Sequence, residues 1–96
     1  MNSNILSNLR EIFNRHDPIG IYFGKEINWD EYDPEISELL VRWRRSKNLK
    51  EFTSEIHNVF VKMFDRGIAG PKSKYEKLSK EVYNFLNNKL KDKTKK

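Results

Sequence analysis

The densest group of chemically active side chains in this sequence is acidic: Asp30, Glu31, Asp33 and Glu35 occupy one six-residue stretch. Carboxylates at such spacing are typical of Ca²⁺ or Mg²⁺ sites. An EF-hand loop that begins at Asp30 requires glycine at its sixth position, where this chain has Glu35, so the stretch does not match that motif. We expect Asp33 to cap a helix and the other carboxylates to be solvated or paired with arginines. Neither a metal ion nor another cofactor is expected.

A basic run, Arg42-Trp43-Arg44-Arg45, follows the acidic stretch. Arginines beside an aromatic ring can bind phosphates and stack on a base, so this run is the best argument for nucleic-acid binding. Trp43 falls on the same helical stripe as Ile36, however, which predicts that its ring points into the protein. A small nucleic-acid-binding protein that uses Arg42, Arg44, Arg45 and the lysine-rich C-terminal end is therefore the alternative function, and nucleic acid is not the expected partner.

Catalytic side chains do not form a recognisable motif. The chain has no cysteine, which excludes disulfides, thiolate zinc sites and cysteine nucleophiles. Its two histidines, His16 and His57, lack the spacing of a zinc motif, and the residue three positions before His57 is Ser54 rather than the glutamate of a di-iron site. No glycine-rich phosphate loop and no strand-turn-helix serine motif is present. We therefore expect that the protein is not an enzyme.

Length and charge limit the organisation of the chain. Its 96 residues allow one domain, for which we predict residues 1–90, followed by a lysine-rich flexible tail over residues 91–96. The net charge is +5, but residues 17–38 hold seven acidic residues and only one lysine. No apolar run reaches the length of about 18 residues that a membrane span needs, and no secretory signal is recognisable. A cytoplasmic protein without membrane contact is expected.

Four segments of the chain have apolar side chains at helical spacing. The helices that they predict would hold the charged side chains in place. Because four amphipathic stripes cannot all face water, the sequence predicts an all-α fold, a compact four-helix bundle. The apolar positions are Ile5, Leu6, Leu9, Ile12 and Phe13 in the first segment, Ile36, Leu39, Leu40 and Trp43 in the second, Leu49, Phe52, Ile56, Val59, Phe60 and Met63 in the third, and Tyr75, Leu78, Val82, Phe85 and Leu86 in the fourth.

Capping and helix-breaking residues predict where these helices begin and end. Proline disfavours helical geometry in the residue before it, and Asp and Asn favour the N-cap position. Helix one should end before Pro18, and Asp33 should cap helix two with Pro34 at its start. Asn48 with Glu51 in a capping-box arrangement should begin helix three, and Gly67 is the expected C′ residue of that helix. Gly70-Pro71 should begin helix four, which frays after Leu90.

Between helices one and two, the sequence predicts a long ordered loop over residues 16–32. It should begin with a type I turn at Asp17-Pro18-Ile19-Gly20 and pack across the bundle through Ile21, Phe23 and Trp29. A loop held at both ends can present side chains with little ordering cost. The expected partner-binding residues are Tyr22, Lys25, Glu26, Asp30, Glu31, Tyr32 and Glu35.

The runs Asp17-Pro18-Ile19-Gly20-Ile21 and Asp30-Glu31-Tyr32-Asp33-Pro34-Glu35-Ile36 resemble a pattern of small helical bacterial proteins of unknown function, which are similar to immunity proteins of bacterial toxin systems. The resemblance implies a helical fold and a protein partner, such as a toxin domain, whose site the protein occludes. Immunity proteins for nuclease toxins are often acidic, whereas this chain is basic. The function expected is a non-enzymatic protein-binding module of the immunity or antitoxin type, of unknown oligomeric state.

Overall fold

Helices account for all regular secondary structure in residues 3–21 and 24–91, which the computed structural model describes. The long helices are α1 (Ser3–His16), α3 (Asp33–Arg45), α4 (Leu49–Phe64) and α6 (Glu76–Leu86), and α2 (Lys25–Asn28) and α5 (Arg66–Ala69) are single turns. A 3₁₀ turn (Lys72–Tyr75) precedes α6, and a π-helical turn (Asn87–Lys91) follows it. The all-α prediction with four long helices is confirmed. Residues 92–96, most of the expected tail, lie outside the described residues.

The core is centred on the Phe60 ring of α4, which is fully buried. Its ring centroid lies 6.5 Å from that of Phe13 on α1, 6.0 Å from Tyr32, which precedes α3, and 5.1 Å from Tyr75 of the 3₁₀ turn. Aromatic pairs at such distances stabilise a core beyond the area they bury. One cluster therefore joins α1, α4, the segment before α3 and the segment before α6.

The connection between α3 and α4 follows the expected capping chemistry. The Asn48 side-chain oxygen accepts a hydrogen bond from the Glu51 backbone N–H at 2.9 Å. In return, the Glu51 carboxylate accepts from the Lys47 backbone N–H at 2.8 Å. The first bond satisfies a donor that the helix start leaves unpaired, the second holds the residue before the cap, and α4 packs against α3.

Asp33 does not cap α3 with its side chain, contrary to the prediction. It is the first residue of the helix, and no side-chain cap hydrogen bond is formed by Tyr32, which precedes it. Both Asp33 carboxylate oxygens instead accept from the Arg10 guanidinium, at 2.9 and 2.7 Å. A bidentate pair of this kind fixes two groups in one geometry, and it ties α1 to the start of α3.

The end of α4 also differs from the prediction, because Gly67 is not its C′ residue. The helix ends at Phe64, where Asp65 takes a φ of 116°, and the Asp65 carboxylate accepts from the Ile68 N–H at 2.8 Å. That bond starts the separate turn α5, so Gly67 lies inside a helical turn. The reversal after α5 falls at Gly70, whose φ of 81° favours glycine. The fourth helix then starts as the 3₁₀ turn and becomes α-helical at Glu76.

Helix α1 is fastened to α6 by polar contacts at its C-terminal end. The Glu81 carboxylate lies 2.7 Å from the Arg15 guanidinium and 2.8 Å from His16 Nε2. The hydrogen bonds from Arg15 and from His16 lower the pKa of Glu81 to about 2. His16 therefore lies at the end of α1, in contact with Glu81 of α6.

Across residues 3–21 and 24–91, the structure contains no helix with both the length and the apolar character that crossing a bilayer requires.

Candidate functional site

The segment between α1 and α3 starts with a turn built around Asp17. The Gly20 N–H donates to the Asp17 carbonyl oxygen at 3.1 Å, which is the expected β-turn hydrogen bond. Asp17 takes a φ of 44°, a left-handed conformation that aspartate tolerates better than most residues. One oxygen of its carboxylate, Oδ1, accepts from the Ile21 N–H at 2.9 Å and from the Tyr32 hydroxyl at 2.6 Å. Asp17 thus joins the two ends of the segment.

Tyr32 is buried, which corrects its assignment as an exposed partner-binding residue. Its side chain is 1% exposed, and its ring lies against Phe13 and Phe60 in the aromatic cluster. Burial, reinforced by the hydrogen bond to Asp17, raises the pKa of its hydroxyl above the ordinary value. Tyr32 therefore holds the segment against the core and is not available to a partner.

Two asparagines add further contacts along the segment. The Asn14 side chain on α1 donates to the Trp29 carbonyl oxygen at 2.8 Å. The Asn28 side chain donates to the Ile21 carbonyl oxygen and so links α2 to the turn that follows α1. Ile21 packs against the core as expected, Trp29 is half-buried, and Phe23 lies outside the described residues. The backbone of the segment is thus held by side chains at several points.

Glu26, Ile27, Asp30 and Glu31 are exposed on this fixed backbone, and we call these four residues the loop face. The Ile27 side chain is 73% exposed, the most of any large hydrophobic side chain in the described residues. The other three residues are carboxylates, so an apolar side chain stands among negative charges. Asn28 donates a long hydrogen bond of 3.4 Å to the Glu31 carboxylate. The expected residues Glu26, Asp30 and Glu31 are therefore all exposed on this segment.

Ile27 was not among the residues selected from the sequence. It belongs to none of the four apolar stripes, and a single apolar residue between Glu26 and Asn28 is not a specific sequence signal for a binding site.

The remaining expected residues fall elsewhere. Tyr22 lies outside the described residues, and so does the side chain of Lys25, whose backbone begins α2. Glu35 is 4% exposed, and its Oε1 has no hydrogen-bond partner among the described residues. Burial raises the pKa of this carboxyl group. Its assignment as a partner-binding residue is wrong, because a side chain this deeply buried cannot contact a partner.

The arginines of the alternative function do not act as one group. Arg42 donates to the Glu55 carboxylate at 2.6 Å and to Glu38 at 3.2 Å, so its charge is neutralised within the protein. Arg44 and Arg45 are exposed and form no ion pair with any described residue. Trp43 packs against the core, as its position on the apolar stripe predicts. Packing against the core leaves only part of the Trp43 side chain exposed for base stacking.

The acidic stretch does not converge on a cation site, since Asp33 is bound by Arg10 and Glu35 is buried. Among residues 3–21 and 24–91, no three His, Cys, Asp or Glu side chains are placed to hold a metal ion. His57 lines a concavity of about 530 Å³, but its Nε2 is hydrogen-bonded to the Gly70 carbonyl oxygen at 2.8 Å. Asn58, Val61, Arg66 and Pro71 complete that lining and offer no partner for acid–base chemistry with His57.

No family model matches the chain, and no curated protein or solved structure shows significant similarity to it. The arguments for function consequently rest on the geometry of the described residues.

Proposed function

We propose that this chain is a non-enzymatic protein-binding module of the immunity or antitoxin type, which neutralises a partner by covering the partner's site with the loop face. The observation that supports this best is the 73% exposure of Ile27 on a segment that side-chain hydrogen bonds hold in place. An exposed apolar side chain on an ordered backbone can fill a partner's pocket at a low entropic cost.

The charge of the loop face indicates the chemistry of the partner. Glu26, Asp30 and Glu31 surround Ile27 in sequence, and all three carboxylates are exposed. Complementary charge raises the rate of association and selects the partner more than it raises affinity. The partner surface should therefore have an apolar pocket bordered by lysine or arginine, as in a cleft that binds an anionic substrate. The acidic face serves this purpose although the whole chain carries a net charge of +5.

The test begins with capture of the partner from an extract of the source cells by the tagged full-length chain, followed by identification and purification of that partner. Inhibition of its activity is then titrated with the wild-type chain. The variant Ile27→Asp/Glu31→Lys should bind at least about thirtyfold more weakly, because it removes the apolar anchor and reverses a charge.

The matched control is Ile68→Asp/Glu11→Lys, which makes the same changes at exposed positions on α5 and α1. It should bind and inhibit like the wild type. Equal binding by the loop-face variant and the wild type would contradict the proposal, and so would a purified complex that leaves the partner fully active.

A further inference from the structure

A second concave surface lies between the start of α4 and the segment that leads into α6. This groove has a volume of about 520 Å³ and is lined by Leu49, Lys50, Thr53, Lys72, Glu76 and Lys80. Because residues of the 3₁₀ turn and of α6 pack against α4, the two walls of this groove are held in a fixed relative position. We call it the lysine groove. It shares no residue with the loop face.

The lysine groove carries an excess of positive charge. Three lysines and one glutamate line it, and among the described residues neither Lys50 nor Lys80 forms an ion pair. The Lys72 ammonium donates to the Ser54 hydroxyl at 3.1 Å, a neutral partner that leaves its charge uncompensated. A cleft lined by one sign of charge focuses the field and attracts counter-ions of the opposite sign.

The backbone of α4 adds to this field. Leu49 and Lys50 are the first two residues of the helix, and both line the groove. The first N–H groups of a helix have no partner inside it, and they form the positive end of the helix dipole. The Asn48 cap takes only the Glu51 N–H. The N-terminus of α4 and the lysines of the groove therefore both favour an anionic ligand.

The size and lining of the groove indicate which kind of anion it can bind. Leu49 and Thr53 give the groove a partly apolar wall, and its volume falls within the range of about 300–1,000 Å³ that is typical of small-molecule sites. Three lysines in one lining can contact several linked anionic groups at once, which a single anionic group cannot exploit. We propose that the lysine groove binds a small ligand that carries a chain of two or three phosphates, either free oligophosphate or a nucleotide. This site is independent of the proposed function.

The test uses the full chain with inorganic triphosphate and with ATP as separate probes, in the absence of divalent cations. Isothermal titration calorimetry should give saturable binding with a dissociation constant below about 1 mM. NMR shifts should be concentrated in residues 49–53 and 72–80. Tighter binding of ATP than of triphosphate identifies a nucleotide, and equal binding identifies the phosphate chain alone as the recognised group.

Charge-matched variants separate the groove from general attraction to a basic protein. Lys50→Ala/Lys80→Ala should weaken binding by about tenfold or more, because each lysine loses a charged contact with the ligand. Lys62→Ala/Lys77→Ala and Lys62→Ala/Lys89→Ala remove the same charge at described lysines that do not line the groove, and they should change affinity by less than about twofold. Glu76→Gln should tighten binding about two- to fivefold, since it removes the carboxylate from the groove.

Three results would overturn the proposal: absence of saturable binding by the wild-type chain, equal losses in the groove variant and the two lysine controls, or NMR shifts centred outside the groove. A single-stranded oligonucleotide that binds the same residues more tightly than ATP would also overturn it, in favour of nucleic acid as the occupant.

Discussion

The loop face and the lysine groove are both charged surfaces, but their charges are supported in different ways. On the loop face, carboxylates on short side chains and an exposed isoleucine stand on a segment that Asp17, Asn14 and Tyr32 hold by hydrogen bonds. In the lysine groove, long flexible side chains surround a concavity between regular helices. The loop face therefore depends on a backbone that is held in one position. The lysine groove depends instead on where the flexible lysine side chains stand around a cavity.

The two surfaces also differ in how they depend on the packing of the core. The order of the loop face depends on Tyr32, which also fills the core, so the proposed binding by this face would depend on the folding of the core. The lysine groove depends on helix packing that its own lysines do not provide, since all three are exposed. Substitution of Tyr32 should therefore lower the free energy of unfolding much more than substitution of the groove lysines.

The largest effect is expected for Tyr32→Ala. The change empties a site in the aromatic cluster and removes the hydroxyl that bonds to Asp17, so it should lower the free energy of unfolding by about 3–5 kcal/mol. The neighbouring change Glu31→Lys, at an exposed position, should stay within about 0.5 kcal/mol of the wild type. Urea unfolding followed by circular dichroism measures both. Similar values for the two variants would show that Tyr32 does not anchor the segment.

A smaller effect, with a sign that depends on pH, is expected for Glu35→Gln. Burial raises the pKa of Glu35 in the folded protein above its ordinary value of 4.5, so the folded state favours the protonated form. The contribution of Glu35 to stability should fall as the pH rises through and above 4.5, because the buried carboxyl group must ionise.

Glutamine carries no charge at any of these pH values. Relative to the wild type, Glu35→Gln should therefore be more stable at pH 7 than at pH 4, with the gain appearing as the pH rises above 4.5. Unfolding curves at the two pH values test this. A variant that is less stable than the wild type at pH 7 would show that the Glu35 carboxylate has a partner in the folded protein.

The smallest effect is expected for Lys50→Ala/Lys80→Ala without ligand. Both side chains are exposed and form no ion pair with described residues, so the change should alter the free energy of unfolding by less than about 0.5 kcal/mol. Thermal unfolding of the variant and the wild type provides the measurement. A loss as large as that of Tyr32→Ala would mean that the groove lysines help to hold α4 and α6 together.

Much of the fold was predictable because its causes are local in sequence. Apolar spacing predicted the four long helices, and Asn48 with Glu51 predicted the start of α4 correctly. The end of α4 was not predictable from the same kind of signal. Glycine is the usual residue at a positive φ, so Gly67 was selected, but Asp65 takes that conformation and its carboxylate starts the next turn. The outcome depends on a side-chain bond rather than on residue type alone.

The candidate site was less predictable, because its order depends on contacts between distant residues. The pairing of Asp17 with Tyr32 and of Arg10 with Asp33 spans fifteen and twenty-three positions, which no local pattern indicates. Tyr32 nevertheless had a signal that was overlooked: it lies four residues before Ile36 and so extends the apolar stripe of α3 beyond the helix.

The loop face is proposed to contact a protein partner, whereas the lysine groove is proposed to bind a small anion. Hydrogen exchange of the purified complex, compared with that of the free chain, tests this assignment most directly, since amides covered by a partner exchange more slowly. We predict that new protection is concentrated in residues 24–33, with little change in residues 49–53 and 72–80. New protection centred on the lysine groove, with unchanged exchange in residues 24–33, would contradict the account.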